Sequence, residues 1–329
     1  MRRLGCAGLV IAALGIGLGT SSAQTRSIVR EVRSAINCTS WPCAPTQDFA
    51  DGEAILERYR AQFGTTSQAL EALSWLARAA LAANELDRAR TYAADTYDLA
   101  VDALKDRALK NDVSLQNALG AAIEVQGQVR AARGQRSEAV YFLRRDLDTY
   151  RDTPLGKRIQ KNINLLSLEG QPAPPLDARE FLGRSIPSFD ALTGKVVLLF
   201  FWAHWCPDCK TQAPIIAALL TKYRQQGLAV VAPTQRYGYI KSGQATTPDE
   251  ELQHIVQVRD AYYSFLRDEP VPVSESNHLQ YGVSTTPTLA LVDRRGIIRL
   301  YHPGTMSVED LEAAIRPLVN QTAAGTALR

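Results

Sequence analysis

Several scarcities narrow the class of this chain before any motif is read. Basic and acidic residues nearly cancel, 37 against 34, which leaves a formal charge of +3. That balance gives no electrostatic footprint for nucleic acid and no basic tail for anionic lipid, so nucleic acid is not an expected partner. Glycine and proline, 21 and 16 in 329 residues, are too sparse for a collagen-like or low-complexity chain, while a 46% hydrophobic share is too high for a disordered one. Uncharged apolar stretches of membrane-spanning length do not recur, which excludes a polytopic membrane protein. Five cysteines are too few for a disulfide-dense scaffold. The length favours two domains over one, at ~100 to 200 residues each.

The cysteines present are unevenly placed: Cys6 alone, Cys38 and Cys43 close together, Cys206 and Cys209 closer still. Cys6 lies within 20 uncharged residues, Leu4 to Ala23, which follow Arg2 and Arg3 and end in Ser21, Ser22 and Ala23. This reads as a secretory signal over residues 1–23, with an uncleaved single-helix anchor as the alternative. Cys6 is expected to leave with the signal. Cleavage removes two arginines and leaves 35 basic against 34 acidic residues, a nearly neutral chain. Export matters because disulfides persist outside the cytosol. Residues 24–48 form a linker containing Cys38-Thr39-Ser40-Trp41-Pro42-Cys43, for which a local structural disulfide is expected. A second redox pair trading electrons with Cys206 and Cys209, or a zinc site using both pairs, are the alternatives.

Residues 49–168 are rich in Ala, Leu, Arg and Glu, lack proline until Pro154, and repeat apolar positions every three or four residues. Leu70, Leu73, Leu76 and Ala80 line one helical face, and Leu86, Ala89, Ala93, Tyr97 and Leu104 the next. Further helices are predicted over Leu115–Val129 and Ser137–Tyr150, and a fifth with Thr153 as N-cap and Pro154 at its first position. The result is an all-α domain of antiparallel hairpins. Leu76, Ala77, Ala80, Asn84, Ala89 and Ala93, and again Gly127, Arg130, Gly134, Ala139 and Leu143, follow an order of large and small residues that resembles a tetratricopeptide repeat. A plain helical bundle and a partner-binding repeat array both fit, so a protein partner for these helices is an open expectation.

A Pro-rich linker at residues 169–175 separates this half from a second domain, residues 176–320, with a flexible tail at 321–329. Val196 to Trp202 is a continuous apolar run of strand length, suited to a strand buried on both faces. Trp205-Cys206-Pro207-Asp208-Cys209 follows it directly and opens a helical pattern through Ile215, Leu219 and Tyr223. A sulfur at the first turn of a helix meets unpaired backbone N–H groups and the positive end of the dipole, which favour its thiolate. Cys206 is thus the candidate nucleophile. Two intervening residues place Cys209 one helical turn away, able to resolve a mixed disulfide. Pro207 suits a position that needs no N–H. The carboxylate of Asp208 should oppose thiolate formation and make the pair less oxidising than one with a basic residue there.

The segment Phe201 to Lys210 resembles the active site of the thioredoxin superfamily, and especially its exported TlpA/ResA-type branch of thiol-disulfide oxidoreductases. The resemblance covers roughly Pro175 to Leu318. Ala213-Pro214 sits where that family kinks its active-site helix. Gly282-Val283-Ser284-Thr285-Thr286-Pro287-Thr288 resembles the segment whose cis-proline lies against the cysteines, and Val292 to Ile298 its closing hairpin. The resemblance implies an α/β domain with a central mixed sheet flanked by helices, catalytic Cys206 and Cys209, and supporting roles for Trp205, Pro207, Asp208, Thr286 and Pro287. It implies no cofactor and no metal, protein thiols and disulfides as substrates, and a membrane or soluble thiol as electron donor.

Two departures from that family stand out. Phe200 occupies the position where thioredoxins proper keep a buried carboxylate, so the proton acceptor for Cys209 is not identified; His204 is expected to be a solvated residue topping the strand, with proton acceptance through water as the alternative. A long segment, Thr234 to Leu266, also precedes the next strand, and Arg236 to Thr247 within it is the candidate substrate-gating loop. Its alternative is an insertion that packs its aromatics on its own helix. No histidine follows Cys209, which excludes haem attachment. Copper delivery, with His278, His302 and Met306 as ligands, a redox-silent platform for a partner of the helices, and a peroxiredoxin-like activity, disfavoured because His204 and Trp205 precede Cys206 without the Pro and Thr spacing of peroxidatic cysteines, are the rival functions.

Overall fold

The computed structural model describes residues 27–39, 43, 48–185, 192–241 and 244–321. The expected signal with Cys6, the loop residues Trp41 and Pro42, and the tail beyond Gln321 lie outside the described residues. Among the described residues no helix is long and apolar enough to cross a membrane.

Among the described residues seven α-helices come first: α1 (Ile28–Ala35), α2 (Ala50–Phe63), α3 (Ser67–Ala82), α4 (Leu86–Ala103), α5 (Val113–Ala132), α6 (Arg136–Tyr150) and α7 (Gly156–Ser167). Local chemistry starts two of the longest. Thr66 caps α3 by accepting from Ala69 N at 3.2 Å, and Asp112 caps α5 by accepting from Leu115 N at 2.9 Å. α3 is buried along Ala69, Leu70, Leu73, Leu76, Ala77 and Ala80, and packs against α1, α2, α4 and α5. α5 passes the contacts on to α6 and α7. Small residues set the spacing: a Cβ on Gly127 of α5 would meet the Leu143 side chain of α6 at 3.1 Å.

α7 departs from its sequence reading. Thr153 and Pro154 do not begin it; the Thr153 hydroxyl donates to Tyr150 O at 2.7 Å and accepts from Leu155 N at 3.2 Å. They close a turn after α6, and the helix starts at Gly156.

The second half contains β1 (Phe181–Gly183), β2 (Val196–Phe201), α8 (Pro207–Tyr223), β3 (Leu228–Val231), β4 (Tyr239–Lys241), β5 (Gln244–Ala245), α9 (Pro248–Tyr262), β6 (Pro270–Pro272), α10 (Glu275–Gln280), β7 (Thr288–Val292), β8 (Ile298–Pro303) and α11 (Val308–Asn320). Its central sheet has the order β3-β2-β7-β8; β2 and β3 are parallel, and the other pairs are antiparallel. This is a mixed sheet in a thioredoxin-like α/β fold. β2 is buried at every position because the sheet is covered on both faces. Val196, Leu198, Phe200 and Trp202 pack with α8 and α11, whereas Val197, Leu199 and Phe201 pack with Tyr281, Val283 and Tyr301. Each such side chain contributes ~1.5–3 kcal/mol of burial.

The halves meet in tight contacts that position the site. The Pro-rich stretch runs beside β8: Gly170 N donates to Ile298 O at 2.9 Å and Ala173 N to Gly296 O at 2.8 Å. α7 packs on α10. Gly282 lies so close to α7 that a Cβ there would stand 2.3 Å from Lys161 N, and its φ of +61° is one that only glycine adopts freely. Lys157 Nζ reaches Glu275 Oε1 at 2.9 Å and the buried Gln235 Oε1 at 3.2 Å.

Candidate active site

β2 delivers the chain to the site and α8 receives it. Cys206 occupies the N-cap of α8 in extended conformation, and its sulfur accepts from Cys209 N at 3.0 Å. The sulfur thus stands where an ordinary cap places an oxygen, at the positive end of the helix. Pro207 fills the first helical position, where no N–H is required. Asp208 is exposed in the first turn. The two sulfurs are joined as a disulfide, with Cα atoms 5.3 Å apart. Cys206 retains 1% exposure and Cys209 none.

The Thr286–Pro287 peptide bond is cis and the loop bearing it lies against the cysteines, with Thr286 O 3.4 Å from Cys206 Sγ. Pro287 O is held by Gly304 N at 2.8 Å, and the buried Thr286 hydroxyl has no partner. Trp205, 45% exposed, forms the lip of the site beside Cys206.

His204 corrects the sequence reading: it is not solvated. Its side chain is fully buried, with Nε2 3.3 Å from Glu251 Oε1 and the ring edge-on to Tyr237, Tyr239 and His254. α9 causes this by folding back over the strand end. Burial pushes the imidazole below its ordinary pKa; Glu251 pulls it up and His254 adds to the drop. The Glu251 carboxylate, 1% exposed, accepts from the backbone N–H groups of Tyr237 at 2.5 Å and Gly238 at 2.8 Å. Tyr237 in turn stands edge-on to Trp205 at 5.4 Å.

Phe200 is buried against Tyr263, so no carboxylate occupies that strand position. Gln212, one turn beyond Cys209, is fully buried; its Oε1 accepts from Met306 N at 2.7 Å and its Nε2 has no partner. Sequence reasoning missed Gln212 and Glu251. The three-residue step from Cys209 along α8 was a signal for the first, whereas nothing local pointed to the second.

The remaining candidates lie apart. Cys38 and Cys43 are joined as a disulfide with Cα atoms 4.7 Å apart, buried in the core of the first helices. Cys206 and Cys209 belong to the core around β2, and each pair is closed on itself, so the four sulfurs do not form one site. His278 is buried edge-on to Phe201, while His302 Nε2 lies 3.1 Å from Thr305 O. Among the described residues no three His, Cys, Asp or Glu side chains are grouped to hold a metal ion.

A buried cysteine pair at a helix start, topped by a proline loop on a mixed sheet, defines a protein of the dithiol–disulfide redox class. The AhpC/TSA family matches residues 170–301. The chain is 30% identical over 144 residues to the thioredoxin-like protein YneN of Bacillus subtilis, covering 44% of this chain and 76% of that protein. It is 27% identical over 155 residues to the thiol-disulfide oxidoreductase ResA of Halalkalibacterium halodurans, covering 46% and 80%. A solved thiol-disulfide isomerase of Corynebacterium glutamicum aligns at 22% identity and TM-score 0.38, over 46% of this chain and 98% of that one. The chain belongs to the thioredoxin-like family of thiol-disulfide oxidoreductases and is an enzyme of that kind.

Proposed function

We propose that the protein acts outside the cytosol, after cleavage of residues 1–23, and uses the Cys206-Pro207-Asp208-Cys209 pair to reduce or exchange disulfides in other proteins. The observation that carries this reading is the Cys206 sulfur at the N-cap of α8, facing the Thr286–Pro287 loop.

In the reduced enzyme the Cys206 thiolate attacks one sulfur of a client disulfide. The client S–S bond breaks, one client thiolate leaves, and a mixed disulfide forms. Cys209 then loses its proton and attacks Cys206 Sγ; the enzyme disulfide forms and the second client thiol is released. Two electrons pass to the client, and a membrane or soluble thiol donor restores the dithiol. The backbone of Thr286 lies beside Cys206 and is suited to pair with an extended client segment; Trp205 offers it an apolar surface. Asp208 biases the pair toward reduction or isomerisation. Cys38 and Cys43 serve as a structural staple, consistent with their burial.

The same reading divides the chain into a helical domain over 49–168 and the redox domain over 176–320. The fully buried small residues Ala89 and Ala139 at the repeat-like positions support close-packed hairpins, and a protein partner for them belongs to this proposal. The test is insulin reduction by purified protein in the presence of a dithiol donor: Cys206→Ser should abolish it, and undiminished turnover in that variant would overturn the reading.

A further inference from the structure

The insertion between β3 and β6 sends a buried carboxylate back to the active-site lip. Glu251 lies in the first turn of α9, where a complete capping box fixes the helix start: Thr247 accepts from Glu250 N, and Glu250 accepts from Thr247 N. From there its carboxylate reaches out of the helix and takes two backbone N–H groups of another segment, those of Tyr237 and Gly238. A buried carboxylate with no such donors is penalised by desolvation, because nothing replaces the water it has lost. The donors that satisfy it are therefore not interchangeable with water. Gly238 has a φ of +82°, a left-handed turn that presents both N–H groups to one carboxylate.

The clamped residue is next to the chemistry. Tyr237 stands edge-on to Trp205 at 5.4 Å and to His204 at 5.7 Å. Trp205 precedes the nucleophilic sulfur and is the large apolar side chain left 45% exposed there. Arg236, on the other side of Tyr237, is tied down by a paired contact to Glu180 at 2.7 and 2.5 Å. These anchors make the stretch from Arg236 to Gly238 a fixed wall instead of a flap.

We propose that Glu251 is a positioning residue: through the backbone of Tyr237 and Gly238 it holds Tyr237 against Trp205, and the two rings form a rigid apolar wall that selects polypeptide disulfides with an apolar side chain beside the cysteine. The proposal rests on the exchange reading above and adds a specificity element to it. No new covalent step is involved.

The test measures second-order rates at which the reduced enzyme is oxidised by three probes: a peptide disulfide with Leu beside cysteine, the same peptide with Asp there, and bis(2-hydroxyethyl) disulfide. The wild type should prefer the Leu peptide over the Asp peptide by about tenfold, the scale of one well-placed apolar contact. Glu251→Gln, which keeps one acceptor and loses the other, should compress that preference to about threefold or less, with a smaller change for the hydroxyethyl disulfide. Tyr237→Leu removes the ring without touching the buried carboxylate and should compress it likewise, so it decides the matter if Glu251→Gln does not fold. Equal loss with all three probes, or an unchanged preference, would overturn the wall. A wild type that reacts with none of them would overturn the exchange reading itself, which keeps the two failures distinct.

Discussion

Lowering the pH from about 7.5 to about 5.0 should remove about 2 kcal/mol of stability through His278 alone. The imidazole is fully buried on α10, edge-on to Phe201 at 5.5 Å and near Tyr237. Burial lowers its pKa from 6.5 to about 3, and the Lys157 ammonium adds to the drop. Between those two values the unfolded chain binds a proton that the folded chain refuses. The stability contribution is therefore complete above the unfolded pKa and falls as pH drops below it, by ~1.4 kcal/mol per unit. About 1.5 units of acidification below the unfolded value give the stated loss. Urea denaturation of wild type and His278→Leu at several pH values measures it. Leucine does not titrate, so the variant should lose about 2 kcal/mol less over the interval. His204, shifted in the same direction by burial, leaves a residual slope in the variant. Identical pH dependence in the two proteins would refute the reasoning.

Other substitutions probe the frame and the redox pair. Gly282→Ala combines a left-handed φ with a Cβ 2.3 Å from Lys161 N. It should cost about 2–4 kcal/mol and lower the melting temperature by ~5–10 °C; an unchanged melting temperature would show that α7 yields freely. Glu124, buried in α5, is held by Arg158 at 2.6 Å and Lys161 at 2.8 Å; burial alone would push its carboxyl up, but these cations hold it at about 2. Glu124→Gln should cost ~3–5 kcal/mol in urea denaturation because two half-buried cations lose their carboxylate, and a loss below ~1 kcal/mol would contradict that. Asp208→His should raise the reduction potential of the pair by roughly 30 mV or more in a glutathione titration, since a carboxylate beside the thiolate gives way to a neutral or cationic ring; a lower potential would reverse the role assigned to Asp208.

Much of this protein was legible where local pattern and final structure share a cause. The apolar repeat of Leu73, Leu76 and Ala80 marked α3, although the helix buries more than that stripe because it is packed between α1, α2, α4 and α5. The apolar run from Val196 marked β2 because both faces of its sheet are covered. The spacing of Cys206 and Cys209 placed the sulfurs one turn apart because they share one helix. The readings that failed depended on competition or distance. Thr153 matched a helix cap, but the same hydroxyl satisfies Tyr150 O in a turn, and that use won. His204 looked like a solvated strand end because its cover comes from Glu251 and His254, far along the chain. Gln212 lay within reach of the helical repeat, yet a glutamine on a helix carries no mark of burial.

The division of labour between the two sulfurs can be read by trapping. When reduced Cys209→Ser protein is mixed with a peptide disulfide and digested without reductant, mass spectrometry should find the peptide bonded to Cys206, accumulating because no second thiol releases it. An adduct on Cys38 or Cys43 instead, or no adduct on Cys206 under conditions where the wild type reduces the same peptide, would contradict the account.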